Sequence, residues 1–329
     1  MDHLNWGIIG PGSIARDFTR DLQMVRTQQN LVAVLGHSAD STDSFASEFG
    51  VTGSYLDIEA FLQHENLQAV YIATPHPHHY EQALACLERR IPVLCEKPMT
   101  INAAQAEKLV EASRRNQTFL MEAMWIRFLP SIQLLLSLMS QDRIGELISV
   151  RASMGYKAPQ EPDNRYFNPA LGGGSLLDLG IYPVFLAMLL MGTPDTIKAI
   201  GSLTEEGVDE DCSMLFQYNN GQHAVLESSL KAESALPAEI HGSRGSIRIL
   251  NPWFEKCPGI ELEVEGENKI VYPCQWEGHG LHFEVQEVLR CLESGKIESE
   301  MFSHEFSLQM IRAMDEVRGQ INVTYNMYE

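Results

Sequence analysis

The segment WGIIGPGSIARDF, near the start of the chain, has small residues at a spacing suited to phosphate binding. Gly10, Gly12 and Ala15 form a G-x-G-x-x-A pattern at the end of an apolar run. The first glycine allows a tight turn, the second lets a pyrophosphate approach the backbone, and the alanine allows close helix packing. Ser13 and Ile14 would begin the helix that follows. The pattern predicts a dinucleotide-binding turn, and the alternative is a glycine turn without a ligand.

A second chemical feature is a lysine at the end of an apolar run. Residues 93–100, VLCEKPMT, begin apolar and end on Glu96, Lys97 and Pro98. A lysine at the carboxyl end of a parallel strand lies in the crevice where doubly wound sheets bind ligands. An ammonium beside a carbinol oxygen favours the developing alkoxide as hydride leaves. The alternative is an ordinary surface pair of Glu96 and Lys97.

A third feature is a polar pair in the apolar segment GGGSLLDLGIYPVFL. Its glycines at 172–174 could bring the backbone close to a ligand. A helix after them would place Asp178 and Tyr182 four residues apart on one face, where they could share one substrate. An unpaired carboxylate in this run would be costly to bury. The alternative is a core tyrosine and a charge at a helix start.

The elements that must position these residues follow from the hydrophobic pattern. Over residues 1–123, short apolar runs alternate with amphipathic stretches, which predicts an α/β domain with a doubly wound parallel sheet of the Rossmann type. Residues 124–329 contain further helices and a series of alternating strands from TIKAIGSL to NKIVYPC. We expect an α+β domain there, with a large, mainly antiparallel open sheet that carries substrate binding and oligomerisation.

The end of the second strand, VAVLGHSAD, indicates which dinucleotide binds. NAD sites usually place an acid there for the ribose 2′-hydroxyl, whereas NADP sites replace it. Gly36, His37 and Ser38 occupy this end, and the first acid, Asp40, lies beyond it. We therefore expect NADP, with NAD as the alternative. His37 or Ser38 would contact the 2′-phosphate, and Arg16 is a more distant candidate.

Several segments together resemble the glucose-fructose oxidoreductase / inositol dehydrogenase (Gfo/Idh/MocA) family over essentially the whole chain. The matching segments are GIIGPGSIA, VYIATPHPHHYEQA, CEKPMT, GGGSLLDLGIYPV and GSRGSIRI, in family order. MEAMWIRFLP, with Tyr182 where many members have histidine, is most similar to the branch that contains dimeric dihydrodiol dehydrogenase and NADP-dependent D-xylose 1-dehydrogenase.

The resemblance implies roles for the polar residues. It places Glu96 and Lys97 at the cofactor, with the lysine reaching the nicotinamide ribose and the reacting oxygen. Tyr182 would be the general acid/base, its pKa lowered by Lys97, and Asp178 would orient the substrate and the lysine. Because the family's histidine is replaced, the proton-transfer group stays open between Tyr182 and Lys97.

The resemblance also implies further ligand contacts. The segment ATPHPHH matches the family's Thr-Pro-Asn-x-x-His turn, which borders the cofactor. Trp125 and Arg127 in AMWIRF are expected at the substrate pocket. Weaker candidates are Tyr156, Arg165 and His279, and for His279 we favour a packing role. The predicted cofactor contacts in the turn are Thr74, Pro75, His76 and His79.

Composition excludes some classes of partner. The formal charge of -20 repels nucleic acid and anionic membranes alike. An apolar run from Leu4 leaves no room for a signal peptide, so a cytoplasmic protein is expected. His76, His78 and His79 raise the possibility of a zinc-dependent hydrolase, but no cysteine or carboxylate follows at ligand spacing, so no metal is expected.

The sequence therefore predicts an NADP(H)-dependent oxidoreductase that acts on the carbinol carbon of a sugar, cyclic polyol or trans-dihydrodiol. The alternatives are an NAD-dependent inositol or sugar dehydrogenase of the same family, and a non-catalytic dinucleotide-binding regulator. A homodimer or homotetramer is expected through the open sheet.

Overall fold

The computed structural model describes residues 3–159, 161 and 164–328, which form two compact units. The first unit comprises the residues up to Trp125 together with Glu277–Leu308. The second comprises Ile126–Trp276 and the residues from Gln309 onward. The sequence-based division into domains 1–123 and 124–329 stays a prediction.

The first unit contains a six-stranded sheet in the order β3-β2-β1-β4-β5-β6. All neighbouring strands are parallel, which is the doubly wound order expected from the sequence. The strands are β1 (His3–Ile9), β2 (Gln28–Leu35), β3 (Gly53–Tyr55), β4 (Ala69–Ile72), β5 (Val93–Glu96) and β6 (Leu120–Ala123). The helices are α1 (Ser13–Leu22), α2 (Ala39–Phe49), α3 (Ile58–Leu62), α4 (His79–Glu88) and α5 (Ala103–Asn116). Each residue of β4, β5 and β6 is buried, which explains why these strands are mostly apolar; Glu96 in β5 and Glu122 in β6 are the acidic exceptions.

The second unit contains an eight-stranded sheet in the order β14-β13-β12-β11-β7-β10-β9-β8. Only β7 and β10 pair in parallel, so the expectation of a mainly antiparallel sheet is confirmed. The elements are α6 (Pro130–Ser140), β7 (Leu147–Gly155), α7 (Ile181–Met191), β8 (Thr196–Leu203), β9 (Asp209–Gln217), β10 (His223–Ser229), β11 (Ala238–Gly242), β12 (Gly245–Ile249), β13 (Gly259–Val264) and β14 (Ile270–Pro273).

The helix predicted across SLLDLGIYPVFL is divided into two kinds of helical turn. Leu176–Gly180 is π-helical, and α7 continues from it and packs against β7 and β10. Pro169–Met191 is long and apolar enough to cross a membrane, but 83% of its most apolar window is buried inside the protein. Such burial is typical of a core helix, so this stretch is weak evidence for a membrane span.

The segment Glu277–Leu308, which belongs to the first unit, is bonded to α1 where α8 (His282–Glu293) begins. Asp21 on α1 is fully buried, and its carboxylate accepts the N–H groups of His279, Gly280 and Leu281 at 2.8–3.0 Å. A carboxylate at a helix start satisfies free N–H groups and opposes the helix dipole favourably. The last helix, α9, spans His304–Ile321.

Candidate active site

The turn between β1 and α1 has the geometry of a phosphate-binding turn. Gly10 has φ +93°, and a Cβ there would lie 2.8 Å from the backbone of Ala73, so only glycine fits. A Cβ on Gly12 would meet nothing within 4 Å, and α1 starts without a side-chain cap or an acidic residue. Ser13 is exposed, Ile14 is half-buried, and Ala15 is fully buried against the sheet. The open turn and the uncapped N–H groups fit a pyrophosphate.

The end of β2 carries no carboxylate. A side chain at Gly36 would collide with the Thr42 hydroxyl, so an acid could not stand there. His37 is exposed, whereas the Ser38 hydroxyl caps α2 by accepting from the Ser41 N–H at 3.5 Å. The Arg16 guanidinium donates to Glu48 at 2.9 Å and to the Pro11 carbonyl at 2.7 Å. His37 is therefore the exposed polar side chain at this strand end.

The turn after β4 adjoins the glycine turn. A Cβ on Gly10 would also lie 2.8 Å from the Thr74 methyl group. The Thr74 hydroxyl donates to Gln82 at 2.7 Å, and Pro75 precedes the single turn of 3-10 helix at His76–His78. His76 is 5% exposed, and its ring lies 5.8 Å from that of His79.

His79 is fully buried and joins two loops of the first unit. Its Nδ1 lies 2.9 Å from the Pro98 carbonyl oxygen, and its Nε2 lies 2.7 Å from the Thr74 carbonyl oxygen. Burial lowers the pKa of His79 to about 3, so the ring is neutral and has one N–H to donate. Its part in cofactor binding stays a prediction.

Lys97 follows β5 at the carboxyl edge of the six-stranded sheet, the edge that also carries the turns after β1 and β4. Glu96 accepts the Tyr71 hydroxyl at 2.5 Å through Oε1 and the Lys97 N–H at 3.1 Å through Oε2. The Lys97–Pro98 peptide bond is cis. Burial and the Glu96 charge raise the pKa of Tyr71 well above its usual value, so the phenol stays a donor. Lys97 itself is half-buried.

Two buried side chains near Lys97 were missed by the sequence reasoning. Tyr71 is fully buried and stacks on Phe18, with 3.8 Å between ring centroids. Glu122 on β6 accepts the Met99 N–H at 2.9 Å. Both lie in apolar strand runs, and a polar residue in such a run was the available signal.

In the second unit, Asp178 is paired with an arginine. Its carboxylate is 6% exposed and lies 3.2–3.3 Å from both terminal nitrogens of Arg165. The guanidinium also stacks on the Tyr166 ring, 4.3 Å from its centroid. Desolvation lowers the pKa of Arg165, but the charges and hydrogen bonds of Asp178 and Tyr166 raise it above its usual value, so the guanidinium stays charged. Two predicted ligand contacts, Arg165 and Asp178, are thus brought together.

Tyr182 lies on α7, four residues beyond Asp178, among aromatic side chains. It is 6% exposed, and its ring centroid lies 6.2 Å from that of Phe254. Tyr156 is exposed and lies 5.6 Å, centroid to centroid, from Tyr166. The second unit therefore holds two aromatic pairs, Tyr182–Phe254 and Tyr156–Tyr166, and the Arg165–Asp178 ion pair.

Asp209, a buried carboxylate that the sequence reasoning missed, caps the helix that carries Asp178 and Tyr182. Asp209, at the start of β9, accepts the Ser175 hydroxyl at 2.7 Å and the Leu176 N–H at 2.6 Å. Burial raises the pKa of Asp209 from 3.8 to about 6. Its Oδ1 has no hydrogen-bond partner among the described residues and faces Gly174, where a side chain would collide with it.

The remaining predicted residues have mixed environments. Trp125 is half-buried in the first unit, and Arg127 is 9% exposed in the second, where its carbonyl accepts the Gln133 amide at 2.7 Å. His279 is half-exposed, with its ring nitrogen 3.5 Å from Asp17, in the segment anchored by Asp21. The structure thus gives His279 a surface contact in the first unit.

The histidine cluster does not form a metal site in the part of the chain that the structure describes. No group of three histidine, cysteine, aspartate or glutamate side chains there could hold a metal ion. Both ring nitrogens of His79 face carbonyl oxygens.

Comparisons with known proteins agree with this geometry. Residues 4–124 match the model of an oxidoreductase family with an NAD-binding Rossmann fold, and residues 132–248 match the GFO/IDH/MocA C-terminal domain. Trans-1,2-dihydrobenzene-1,2-diol dehydrogenases from Sus scrofa and Homo sapiens are 35% and 33% identical, and each alignment covers 98% of both chains.

Solved structures share the fold at lower identity. An aldose-aldose oxidoreductase from Caulobacter crescentus has a TM-score of 0.88 and 20% identity, covering 97% of this chain and 98% of the other. A 3-ketoreductase from Actinomadura kijaniata, solved with NADP and TDP-benzene, has a TM-score of 0.85 and 24% identity with the same coverage. The matched models span both units, and the chain belongs to the GFO/IDH/MocA family of NAD(P)-binding oxidoreductases.

Proposed function

We propose that this oxidoreductase uses NADP(H) to move hydride between the nicotinamide and the carbinol carbon of a sugar, cyclic polyol or trans-dihydrodiol. The single observation that carries the proposal is Lys97, held by Glu96 at the carboxyl end of β5, on the sheet edge that carries the Gly10 turn.

Lys97 is proposed to act on the oxygen of the reacting carbinol. Its ammonium would stabilise negative charge that develops on this oxygen, and a bound nicotinamide would supply the hydride acceptor. The hydroxyl proton passes either to Tyr182 as the phenolate, with Lys97 staying an ammonium, or to Lys97 as the neutral amine, and these remain the two candidate proton-transfer groups. The chain's contribution is orientation and charge stabilisation.

Asp178 and Arg165 are proposed to orient the substrate. Their bidentate pairing supports a fixed carboxylate, because a planar guanidinium holds both the position and the ionisation of its partner. The nearby aromatic rings of Tyr156 and Tyr166 favour a ring-shaped substrate with an apolar face. A trans-dihydrodiol has such a face, and the relatives named as dihydrodiol dehydrogenases support this member of the substrate class.

NADP is favoured over NAD by the end of β2. A 2′-phosphate needs a site without a carboxylate, and His37 is the exposed polar side chain there. The replacement His37→Asp is expected to reduce the preference for NADP over NAD by about tenfold or more, because it puts a negative charge beside the phosphate.

A homodimer or homotetramer is proposed through the open face of the eight-stranded sheet. On this face Leu215 of β9 lies opposite Val225 of β10, and both are exposed, as is Ile200 on β8 at 76%. Apolar side chains on an open sheet face are typical of an interface between copies. Light scattering of the wild type and Leu215→Asp would give the mass of the assembly and show whether this face forms it.

A cytoplasmic location is also proposed, since all six cysteines are free and buried, as in reducing compartments.

The proposed function is tested by following reduced nicotinamide with NADP+ or NAD+ and a panel of aldoses, inositols and cyclic diols. The wild type, Lys97→Ala and the control Lys108→Ala are compared, since Lys108 lies on α5 beside the Tyr80 ring. We expect the wild type to turn over one polyol. The rate should fall by about a hundredfold or more in Lys97→Ala and should be unchanged in the control Lys108→Ala. Dinucleotide binding without turnover on any substrate would instead favour a non-catalytic regulator.

A further inference from the structure

The segment 97–99 is held through its backbone by buried side chains. The Met99 N–H donates to Glu122 Oε1 at 2.9 Å, and the Pro98 carbonyl oxygen lies 2.9 Å from His79 Nδ1. The Lys97 N–H donates to Glu96. The position of the Lys97 backbone therefore depends on these side chains.

Among them, Glu122 combines a hydrogen bond with a buried charge. It is 5% exposed and lies on β6, opposite Cys95 of β5. Its partners are the Met99 N–H, which donates to it at 2.9 Å, and the Ser307 hydroxyl. Because an N–H can only donate, the bond from Met99 favours the ionised carboxylate.

The charges that face Glu122 favour a link to Lys97. Burial raises the pKa of Glu122, and the Ser307 and Met99 hydrogen bonds lower it. The Glu96 charge raises this pKa further, whereas the Lys97 charge lowers it. A charge that lowers the pKa of its neighbour must itself be favoured by that neighbour's ionised form. Cys95 is the other titratable group beside Glu122, and burial raises its pKa well above the usual thiol value, so it stays neutral.

We propose that Glu122 is a positioning residue for Lys97: its carboxylate, bonded to the Met99 N–H, fixes the backbone of residues 97–99 and places a buried acid near the Lys97 side chain. The kinetic consequence rests on the proposed function of Lys97, whereas the electrostatic part does not.

The test separates charge from hydrogen bonding. In Glu122→Gln the amide oxygen can still accept from Met99, and the amide nitrogen can donate to the Ser307 hydroxyl, so only the charge is removed. Glu122→Met is a second uncharged variant of similar size, and Glu122→Asp keeps the charge. Glu287→Gln is the matched control, because Glu287 is also buried in the first unit but pairs with Arg290.

The direct measurement is the titration of the Lys97 amine by NMR after 13C-methylation of lysines, with the signal assigned by its loss in Lys97→Arg. Glu122→Gln and Glu122→Met should lower the Lys97 pKa by about one unit, because an opposite charge nearby is removed. Glu122→Asp should restore most of the shift, and Glu287→Gln should leave the titration unchanged. A titration in both uncharged variants that superimposes on that of the wild type overturns the proposal.

The kinetic measurement uses the pH dependence of kcat/KM. If the ammonium form of Lys97 is the active one, the basic limb should move to lower pH in Glu122→Gln by the same amount as the amine titration. A merely structural role would lower kcat/KM without moving the limb. If Lys97→Ala keeps full turnover, the proposed function fails while the amine titration still decides the role of Glu122.

Discussion

Asp209 offers a test of how the helix that carries Asp178 and Tyr182 is held. Its carboxylate caps the π-helical turn through the Ser175 hydroxyl and the Leu176 N–H, and it is fully buried at the start of β9. Asp209→Asn keeps an acceptor oxygen for these donors and removes the charge. We expect the variant to be more stable than the wild type at neutral pH.

The magnitude follows from the pKa. Burial raises the pKa of Asp209 from 3.8 to about 6, a shift of about two units, which corresponds to about 3 kcal/mol. Because the folded pKa is higher than the unfolded one, the folded state binds the proton more tightly. The contribution of Asp209 to the free energy of unfolding is therefore complete below about pH 4 and is lost as the pH rises through about 6. Asparagine resembles the protonated acid at every pH, so the advantage of the variant should grow by up to about 3 kcal/mol over this window.

Urea unfolding of the wild type and Asp209→Asn from about pH 4 to about pH 7 measures this difference directly. Asp195→Asn, which removes an exposed carboxylate of the second unit that accepts the Asn219 N–H, is the control for losing a surface charge. A stability difference between the wild type and Asp209→Asn that does not change with pH would refute the reasoning. It would mean that the capping hydrogen bonds fully offset the burial of the charge and leave the pKa of Asp209 unshifted.

Three further predictions concern residues proposed to lie at the ligand sites. Gly12→Ala should leave the melting temperature unchanged, because its Cβ meets nothing within 4 Å, and should weaken NADP binding measured by fluorescence by about tenfold or more. Gly10→Ala should instead lower the free energy of unfolding by about 1–3 kcal/mol, because its φ is +93° and its Cβ would strike the Ala73 backbone. Arg165→Lys should raise KM more than it lowers kcat, because lysine cannot hold both Asp178 oxygens in a fork; an unchanged KM would argue that the pair is only structural.

Much of the first unit could be predicted from the sequence because its signals are local. A buried parallel strand is a short apolar run, and the glycine turn has its own spacing, so β1, α1 and the turn at Gly10 were expected close to where they lie. The short strand β3 was missed because its three residues are too few to show a pattern.

The central strand of the second unit, β7, was also missed. Its segment LISVRASMG is not strictly alternating, since Ser149 and Val150 are both buried, and its parallel partner β10 lies far along the chain. The return of α8 to the first unit depends on Asp21, whose partners at residues 279–282 are about 260 positions away. No local pattern encodes such a contact.

The candidate site divides in the same way. The residues proposed to meet a ligand carry motif signals, and Lys97, Asp178 and Tyr182 were selected on them. Glu122 and Asp209, which bond to the neighbouring backbone, are single acids in apolar surroundings, and the sequence shows only that their burial would be costly. Tertiary contacts decide which backbone N–H groups offset the cost of burying a carboxylate. Residues that position others are therefore recognised only in the structure.

Buried acids also change how the formal charge of -20 should be interpreted. Glu284 is fully buried, and burial together with the charges of Glu96 and Asp21 raises its pKa well above the usual value, so it stays neutral in the folded protein. Asp21, by contrast, is fully buried and accepts the backbone N–H groups of His279, Gly280 and Leu281. The contribution of an acid to the electrostatic field outside the protein therefore depends on its burial and its partners, and counting acids in the sequence does not give it. The expectation that nucleic acid is repelled rests on the exposed acids, such as Glu263 and Glu300, and these remain when the buried ones are discounted.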